Sequence, residues 1–286
     1  SLFYISLFSI IWAFYILLGK YLLNLGLQPM PQQTGSLLIS SFFITAYYFF
    51  FTRKKAEHIG KKDLVLAILS GILGTGISGL LGLFGLQLST SINYGFLIKT
   101  SVIFTVLFSF VLLNEPVNKR KILYLALLLI GTFFISTSGQ DLIPQKGDIL
   151  IIISAGCVGA STVFLRRLAR KNIDPELISF IRIISGTLVI IAIVFLLQGE
   201  MFDINFLPFL FLLSFLQTMM IILWARALTV ASASYATMMS MLTPVIVTVL
   251  AYGLLGERLN AIQLIGGGLI IYGGIMTQVK KVANHD

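Results

Sequence analysis

Charged residues and the usual ligands of metals and disulfides are scarce in this sequence. Only 11% of its 286 residues are charged and 57% are hydrophobic, whereas soluble domains average about 25% charged residues. One cysteine and two histidines exclude a disulfide framework and a Cys/His metal site by number alone. This composition is typical of an integral membrane protein, and neither a cofactor nor a metal is expected.

The positive charge of the chain predicts membrane orientation. A net charge of +9 in a soluble protein would suggest a nucleic-acid partner. Here the basic residues lie between apolar runs, so no nucleic-acid partner is expected. If the N-terminus is cytoplasmic, most of the 20 Lys and Arg residues fall in inside connections and the C-terminal tail. The positive-inside rule therefore predicts a multi-pass protein of the cytoplasmic membrane with both termini in the cytoplasm.

Long apolar runs predict transmembrane helices. A helix needs about 20 apolar residues to cross the hydrocarbon core, and only helices or closed barrels satisfy the backbone in lipid. Charged and turn-forming clusters divide the chain into ten such runs: 2–23, 36–52, 63–86, 91–113, 120–138, 148–165, 177–197, 206–225, 232–255 and 261–279. We therefore expect an all-α integral membrane protein with ten transmembrane helices.

Two distant stretches of the chain resemble each other. Residues 112–131, LLNEPVNKRKILYLALLLIG, align without gaps with residues 254–273, LLGERLNAIQLIGGGLIIYG. The offset is close to half the chain, which predicts two five-helix repeats, 1–142 and 143–286. Because five is an odd number, the repeats would have opposite orientations, a hallmark of secondary transporters whose solute site lies near the midplane between the halves.

These features carry a family resemblance. The five-plus-five plan, the L-x-E-x-x-N motif in each half and the stretch TPVIVTVLAYGLLGERL (243–259) resemble the EamA type of the drug/metabolite transporter superfamily. Pro244 and Glu257 fit the family pattern, whereas the first half has Val102 where proline would be expected. The resemblance implies transport of small metabolites, often amino acids or their relatives, and favours export.

A single lysine lies inside the fourth predicted helix. Lys99 interrupts NYGFLIKTSVIF (93–104) about eight residues, or about 12 Å, from the start of that helix. An ammonium in a low-dielectric setting is costly unless it meets water, a partner or an anion. We predict that Lys99 faces a cavity and binds the anionic group of a solute; the alternative is a structural cation held by carbonyls or an aromatic face. Arg182 and Lys20, nearer to helix ends, are better placed to snorkel.

Aromatic and polar side chains are predicted to line the rest of the solute site around Lys99. Phe8, Trp12, Tyr15 and Gly19 share one face of the first predicted helix, and Ser214, Gln217, Ile221 and Trp224 share one face of the eighth. Each aromatic also suits a structural role, and for Trp224 the membrane-interface belt is the favoured interpretation. The predicted substrate-binding residues are Lys99, Trp12, Tyr15, Gln217, Trp224, Tyr94, Tyr235 and Met239.

A second set of residues is predicted to be structural. Pro244 breaks the hydrogen-bond ladder of the ninth predicted helix, which predicts a kink or a hinge. Glu115 and Glu257 lie at helix ends beside turns, which favours caps or interfacial ion pairs over proton-coupling carboxylates. Gly131 and Gly273 hold equivalent places in the repeats. The glycines of GTGISG (74–79), inside an apolar span, predict close packing or a gating hinge.

The predicted function is transport of a small organic solute by alternating access. Because the predicted span interiors contain basic but no acidic residues, the solute is expected to be anionic or zwitterionic, with an amino acid preferred over an exchanged organic anion or phosphorylated metabolite. Without embedded acids, facilitated diffusion or exchange is expected. A membrane enzyme is disfavoured because the span interiors lack acids and histidines. A non-transporting receptor or assembly subunit remains an alternative function. The expected partners are a small-molecule substrate and the lipid bilayer. A monomer is compatible with these features.

Overall fold

The described part of the chain is helical. The computed structural model describes residues 2–52, 59–113, 119–137, 145–171, 173–230 and 240–279, and these ranges contain no strand. The α-helices are α1 (Leu2–Asn24), α2 (Pro29–Tyr47), α3 (Lys61–Gly71), α4 (Ser78–Gln87), α5 (Ser91–Leu97), α6 (Ser101–Leu113), α7 (Lys119–Thr137), α8 (Lys146–Ala169), α9 (Pro175–Leu197), α10 (Leu207–Val230), α11 (Leu242–Leu255) and α12 (Ala261–Val279).

Length and composition make this a multi-pass membrane protein. Seven of the described helical segments are long and apolar enough to cross a membrane, and three shorter apolar helices accompany them, Ile122–Ile135, Leu242–Leu255 and Ala261–Met276. Large apolar side chains point outward, among them Phe50 and Leu196, which are 84% and 82% exposed. Lipid is the solvent that suits such a perimeter. The all-α membrane architecture is thus confirmed, while the exact number of ten spans stays a prediction.

The second helix begins earlier than its sequence pattern predicts. Its start was expected at residue 36, but α2 begins at Pro29, because proline is well suited to the first turn of a helix. The polar side chains of this first part are buried and bonded rather than solvated. Gln32 Nε2 donates to the carbonyl of Gly19 (3.3 Å), and Gln33 Nε2 donates to the carbonyl of Thr75 (3.1 Å).

Two spans change their helical pitch near their middle. A π-helical turn, Ile72–Ile77, joins α3 to α4, and a 3₁₀ turn, Ile98–Thr100, joins α5 to α6. Glycines allow close packing at the π turn, since a Cβ on Gly74 would lie 2.2 Å from Ser161 Oγ. Departures of this kind often occur at functional sites.

The two halves of the chain pack on each other throughout. From the first half, α1 packs on α10 and α11, α2 on α9 and α10, and both α4 and α6 on α8. The helices α7 and α12 form a closely packed pair. A Cβ on Gly131 would lie 2.6 Å from the carbonyl oxygen of Gly266, and one on Gly273 would lie 2.8 Å from that of Tyr124. Close backbone contact between small residues is a common way for helices to associate in lipid.

We expect Gly131→Ala to lower the free energy of unfolding by about 1–3 kcal/mol, because the added methyl group forces α7 and α12 apart. Thermal unfolding of the purified protein in detergent measures the change. The matched control is Gly268→Ala on α12, where an added Cβ meets nothing within 4 Å. Equal unfolding temperatures for the two variants would contradict the packing role of Gly131.

Candidate functional site

A cavity of about 180 Å³ lies between the two halves of the chain. Its walls come from α1, the π turn, α4, the α5–α6 segment, α8, α9 and α10, so residues far apart in sequence meet there. The lining residues are Phe8, Trp12, Tyr15, Gly74, Thr75, Ser78, Gly79, Tyr94, Ile98, Lys99, Ser101, Val102, Thr105, Ser154, Val158, Ser161, Thr162, Leu165, Arg166, Arg182, Gln217, Met220, Ile221, Trp224, Ser240 and Met241.

Lys99 lies in the cavity wall with its ammonium against an aromatic ring. The side chain is 3% exposed, and Nζ stands 4.0 Å from the ring centroid of Trp12. Within the described residues, Nζ has no hydrogen-bond partner. A cation over an indole face gains part of what it loses on leaving water, but the three N–H donors of the ammonium stay available to a ligand.

Aromatic rings form one wall beside Lys99. The ring centroid of Phe8 lies 5.3 Å from that of Trp12 and 4.8 Å from that of Trp224. Trp224 therefore lies in the cavity wall, although its sequence position favoured a membrane-interface belt. Gly19, predicted to share the face of Trp12, instead packs on Gln32 and does not line the cavity.

Three more predicted residues line the cavity. Tyr15 and Tyr94 are among them, and Tyr94 has room because Gly82 lacks a side chain: a Cβ there would lie 2.9 Å from the Tyr94 hydroxyl. Gln217 Oε1 accepts a hydrogen bond from the Ser40 hydroxyl (3.2 Å), which orients its amide. Five substrate-binding candidates thus surround Lys99 in one cavity, while their role in binding stays a prediction.

Several predicted residues are not in the cavity wall or not described. Tyr235, Met239 and Glu115 lie outside the described residues. Pro244 lies in the first turn of the described helix α11, where a missing N–H removes no helical hydrogen bond. It therefore does not interrupt the described part of that helix, and a hinge role stays a prediction.

Two arginines reach the cavity that sequence position did not assign to it. Arg182 was expected to snorkel and Arg166 to belong to a basic connection, yet both line the cavity. Arg182 Nη2 would lie 3.5 Å from a Cβ on Gly74, so its guanidinium reaches past the π turn. The position of Arg182 inside the predicted seventh span was the one sequence feature that pointed to the cavity. Lys99 and these two arginines are the basic residues of the described lining, which contains no Asp or Glu.

One end of the bundle is closed by bonds between the two halves; we call it the Glu257 end. Glu257, which follows α11, accepts the backbone N–H groups of Ser91 (2.9 Å) and Ile92 (3.0 Å) and so caps α5. Within the first half, Lys20 Nζ donates to the carbonyls of Leu86 (2.9 Å) and Ser89 (2.6 Å) at the end of α4. Lys20 thus satisfies helix-terminal carbonyls and does not line the cavity.

A buried carboxylate at this end was assigned no role from the sequence. Asp148, in the first turn of α8, is fully buried. Its Oδ1 accepts a hydrogen bond from the Ser89 hydroxyl (2.5 Å), and Asn93 Nδ2 donates to Oδ2 (3.4 Å). Because Asp148 belongs to the second half and both donors belong to the first, these bonds join the two halves at the Glu257 end.

The comparisons with known proteins agree with this architecture. The EamA-like transporter family matches residues 1–137 and 145–278, nearly the whole chain. The chain belongs to the EamA-like transporter family. A relative in Bacillus subtilis (strain 168), named "Uncharacterized transporter YetK", is 25% identical over 233 residues, which are 77% of this chain and 70% of the relative.

The solved structures agree on the fold. One crystal structure of a protein with 15% identity matches this EamA-like chain with a TM-score of 0.63 and covers 95% of this chain and 98% of the other. The match to the EamA-like transporter family confirms the family resemblance drawn from the sequence. The family and the Bacillus subtilis relative identify the protein as a membrane transporter.

We expect Glu257→Ala to lower the stability of this EamA-like transporter by about 1–2 kcal/mol, the usual loss when a helix cap is removed. The variant leaves two N–H groups of α5 without their acceptor. Thermal unfolding in detergent measures the change, and Glu200→Ala, which removes an exposed carboxylate, is the control. An unchanged unfolding temperature in Glu257→Ala would show that the cap contributes nothing.

Proposed function

We propose that this transporter moves a small organic solute with an anionic group, such as an amino acid or an organic acid, and that Lys99 binds that group. The observation that carries the proposal is the ammonium of Lys99: it is buried, stands on the face of Trp12 and has no hydrogen-bond partner in the described ranges. An anion in the cavity would supply the missing partner through a charge-assisted hydrogen bond, the strong kind.

The rest of the proposed site follows from the neighbouring walls. Trp12, Tyr15 and Tyr94 offer flat apolar surfaces with polar edges, and Gln217 offers an amide already oriented by Ser40. Trp224 would enclose the solute from the side of Phe8. A few convergent polar groups in a mainly apolar pocket are typical of a small-molecule site.

Alternating access between two inverted five-helix halves is the proposed transport mechanism. Polar ties between the halves exist at both ends of the bundle. Glu257, bonded to Ser91, and Asp148, bonded to Ser89, form the ties at one end, and the ion pair between Lys171 Nζ and Asp63 Oδ1 (2.7 Å) lies at the other. Opening one set while the other holds would expose the cavity to one side at a time.

The orientation and direction are proposed on sequence grounds. The basic connections favour cytoplasmic termini in the cell membrane, so the Glu257 end would face outward. Export is proposed because the sequence resemblance favours it. No cofactor is needed for this mechanism, and facilitated diffusion or exchange is the simplest coupling.

We expect Lys99→Gln to abolish uptake of the transported anion or amino acid into liposomes that contain only this protein. The same protein in detergent should lose the ligand-induced rise in unfolding temperature, since a ligand stabilises only the state that it binds. A panel of amino acids and carboxylates identifies the responsive solutes in the wild type.

The control for this experiment is Arg258→Gln, which removes one positive charge from an exposed position outside the cavity. Arg258→Gln should transport as the wild type does. If Lys99→Gln retains both flux and ligand stabilisation, or if only organic cations stabilise the wild type, the proposed role of Lys99 is wrong.

A further inference from the structure

Two cations in the cavity wall exceed what one anionic group can balance. Lys99 and Arg182 both line the cavity, and its described lining contains no carboxylate. Cations that share a low-dielectric cavity repel one another, and each also loses hydration. A zwitterionic amino acid would balance one of them with its carboxylate, but its own ammonium would find no acidic partner in the described wall.

The two best-defined cations stand on different walls. Lys99 belongs to the 3₁₀ turn, which packs on α8, whereas Arg182 belongs to α9, which packs on α2 and the π turn. The Nε atom of Arg182, like Nζ of Lys99, is buried without a hydrogen-bond partner in the described part of the chain. One small anion against Lys99 would therefore leave Arg182 uncompensated.

The π turn, which Arg182 reaches at Gly74, contributes a further donor to the cavity wall. The hydroxyl of Thr75 belongs to the π turn, lines the cavity and is buried without a hydrogen-bond partner among the described residues. Gly74, next to it in the chain, lies beside the Arg182 guanidinium, since a Cβ there would lie 3.5 Å from Nη2. A guanidinium with a neighbouring hydroxyl is a good receptor for a planar carboxylate.

We propose that the cavity binds organic dianions whose two anionic groups are separated by a short carbon chain, one group on Lys99 and the other on Arg182 and Thr75. This inference rests on the proposed function of Lys99 and narrows the solute class from any anionic or zwitterionic metabolite to dicarboxylate-like solutes. Arg182 is then a specificity-determining residue that distinguishes two charges from one.

The test compares dicarboxylates with nearly isosteric half-amides that carry one charge. Dissociation constants are measured by titration calorimetry at pH 7 on the full chain in detergent, with succinate against succinamate and glutarate against glutaramate. The wild type is expected to bind at least one dicarboxylate about tenfold or more tightly than its half-amide, since a charge-assisted hydrogen bond contributes that much.

Variants of Arg182 test whether this residue causes the preference for dicarboxylates over half-amides. In Arg182→Gln the dicarboxylate and its half-amide should bind equally, at about the affinity of the half-amide in the wild type. Arg182→Lys, which keeps the charge, should retain part of the preference, and Arg258→Gln should retain all of it. Thermal unfolding without ligand shows that each variant is folded before the comparison.

The possible outcomes distinguish a failure of the dianion inference from a failure of the proposed function. If half-amides bind as tightly as dicarboxylates, or if Arg182→Gln keeps the preference, the dianion inference is wrong. If Lys99→Gln also abolishes half-amide binding in that case, the proposed function stands without it. If neither carboxylates nor amino acids bind to the wild type, both proposals fail.

Discussion

The burial of one ammonium in a membrane-spanning bundle is the constraint on which the rest of the site depends. Lipid supplies neither water nor hydrogen bonds, so a lysine at this depth must find its compensation inside the protein. The ring of Trp12, 4.0 Å from Lys99 Nζ, supplies only part of it. The rest of the compensation must come from a cavity next to the ammonium, and the surrounding helices form one there.

A tightly packed helical bundle has room for such a cavity because its backbones approach closely elsewhere. Glycines bring α7 against α12 and the π turn against α8 and α9. The same glycine-rich segment lines the cavity at Gly74 and Gly79, where a Cβ would lie 2.2 Å from Ser161 Oγ and 2.3 Å from Gln33 Nε2. Small residues thus allow the close packing that forms this part of the cavity wall.

The sequence predicted the membrane class, the family and the faces of α1 and α10, because these depend on composition and helical periodicity. It predicted that Lys99 faces a cavity, because a charge in the middle of a span is too far from the membrane surface to snorkel easily. The buried position of Arg182 was not predicted, because a charge near a span end can snorkel, cap or turn inward, and only the rotation and tilt of packed helices decide among these. The π and 3₁₀ turns were missed because pitch changes leave no mark in the apolar pattern.

The proposed transport cycle requires that the contacts which break be weaker than those which persist. The ties at the ends of the bundle are hydrogen bonds and an ion pair, each worth at most about 2 kcal/mol in net terms. The glycine-packed pair α7 and α12 is an extended close contact, which favours movement of these helices as a unit. A solute that bridges Lys99 and Arg182 would bind the walls of α5–α6 and α9 together. Such a solute would bind the closed cavity more tightly than the open one. This difference in binding free energy would offset the loss of one set of end ties, and a ligand shifts a conformational equilibrium in this way.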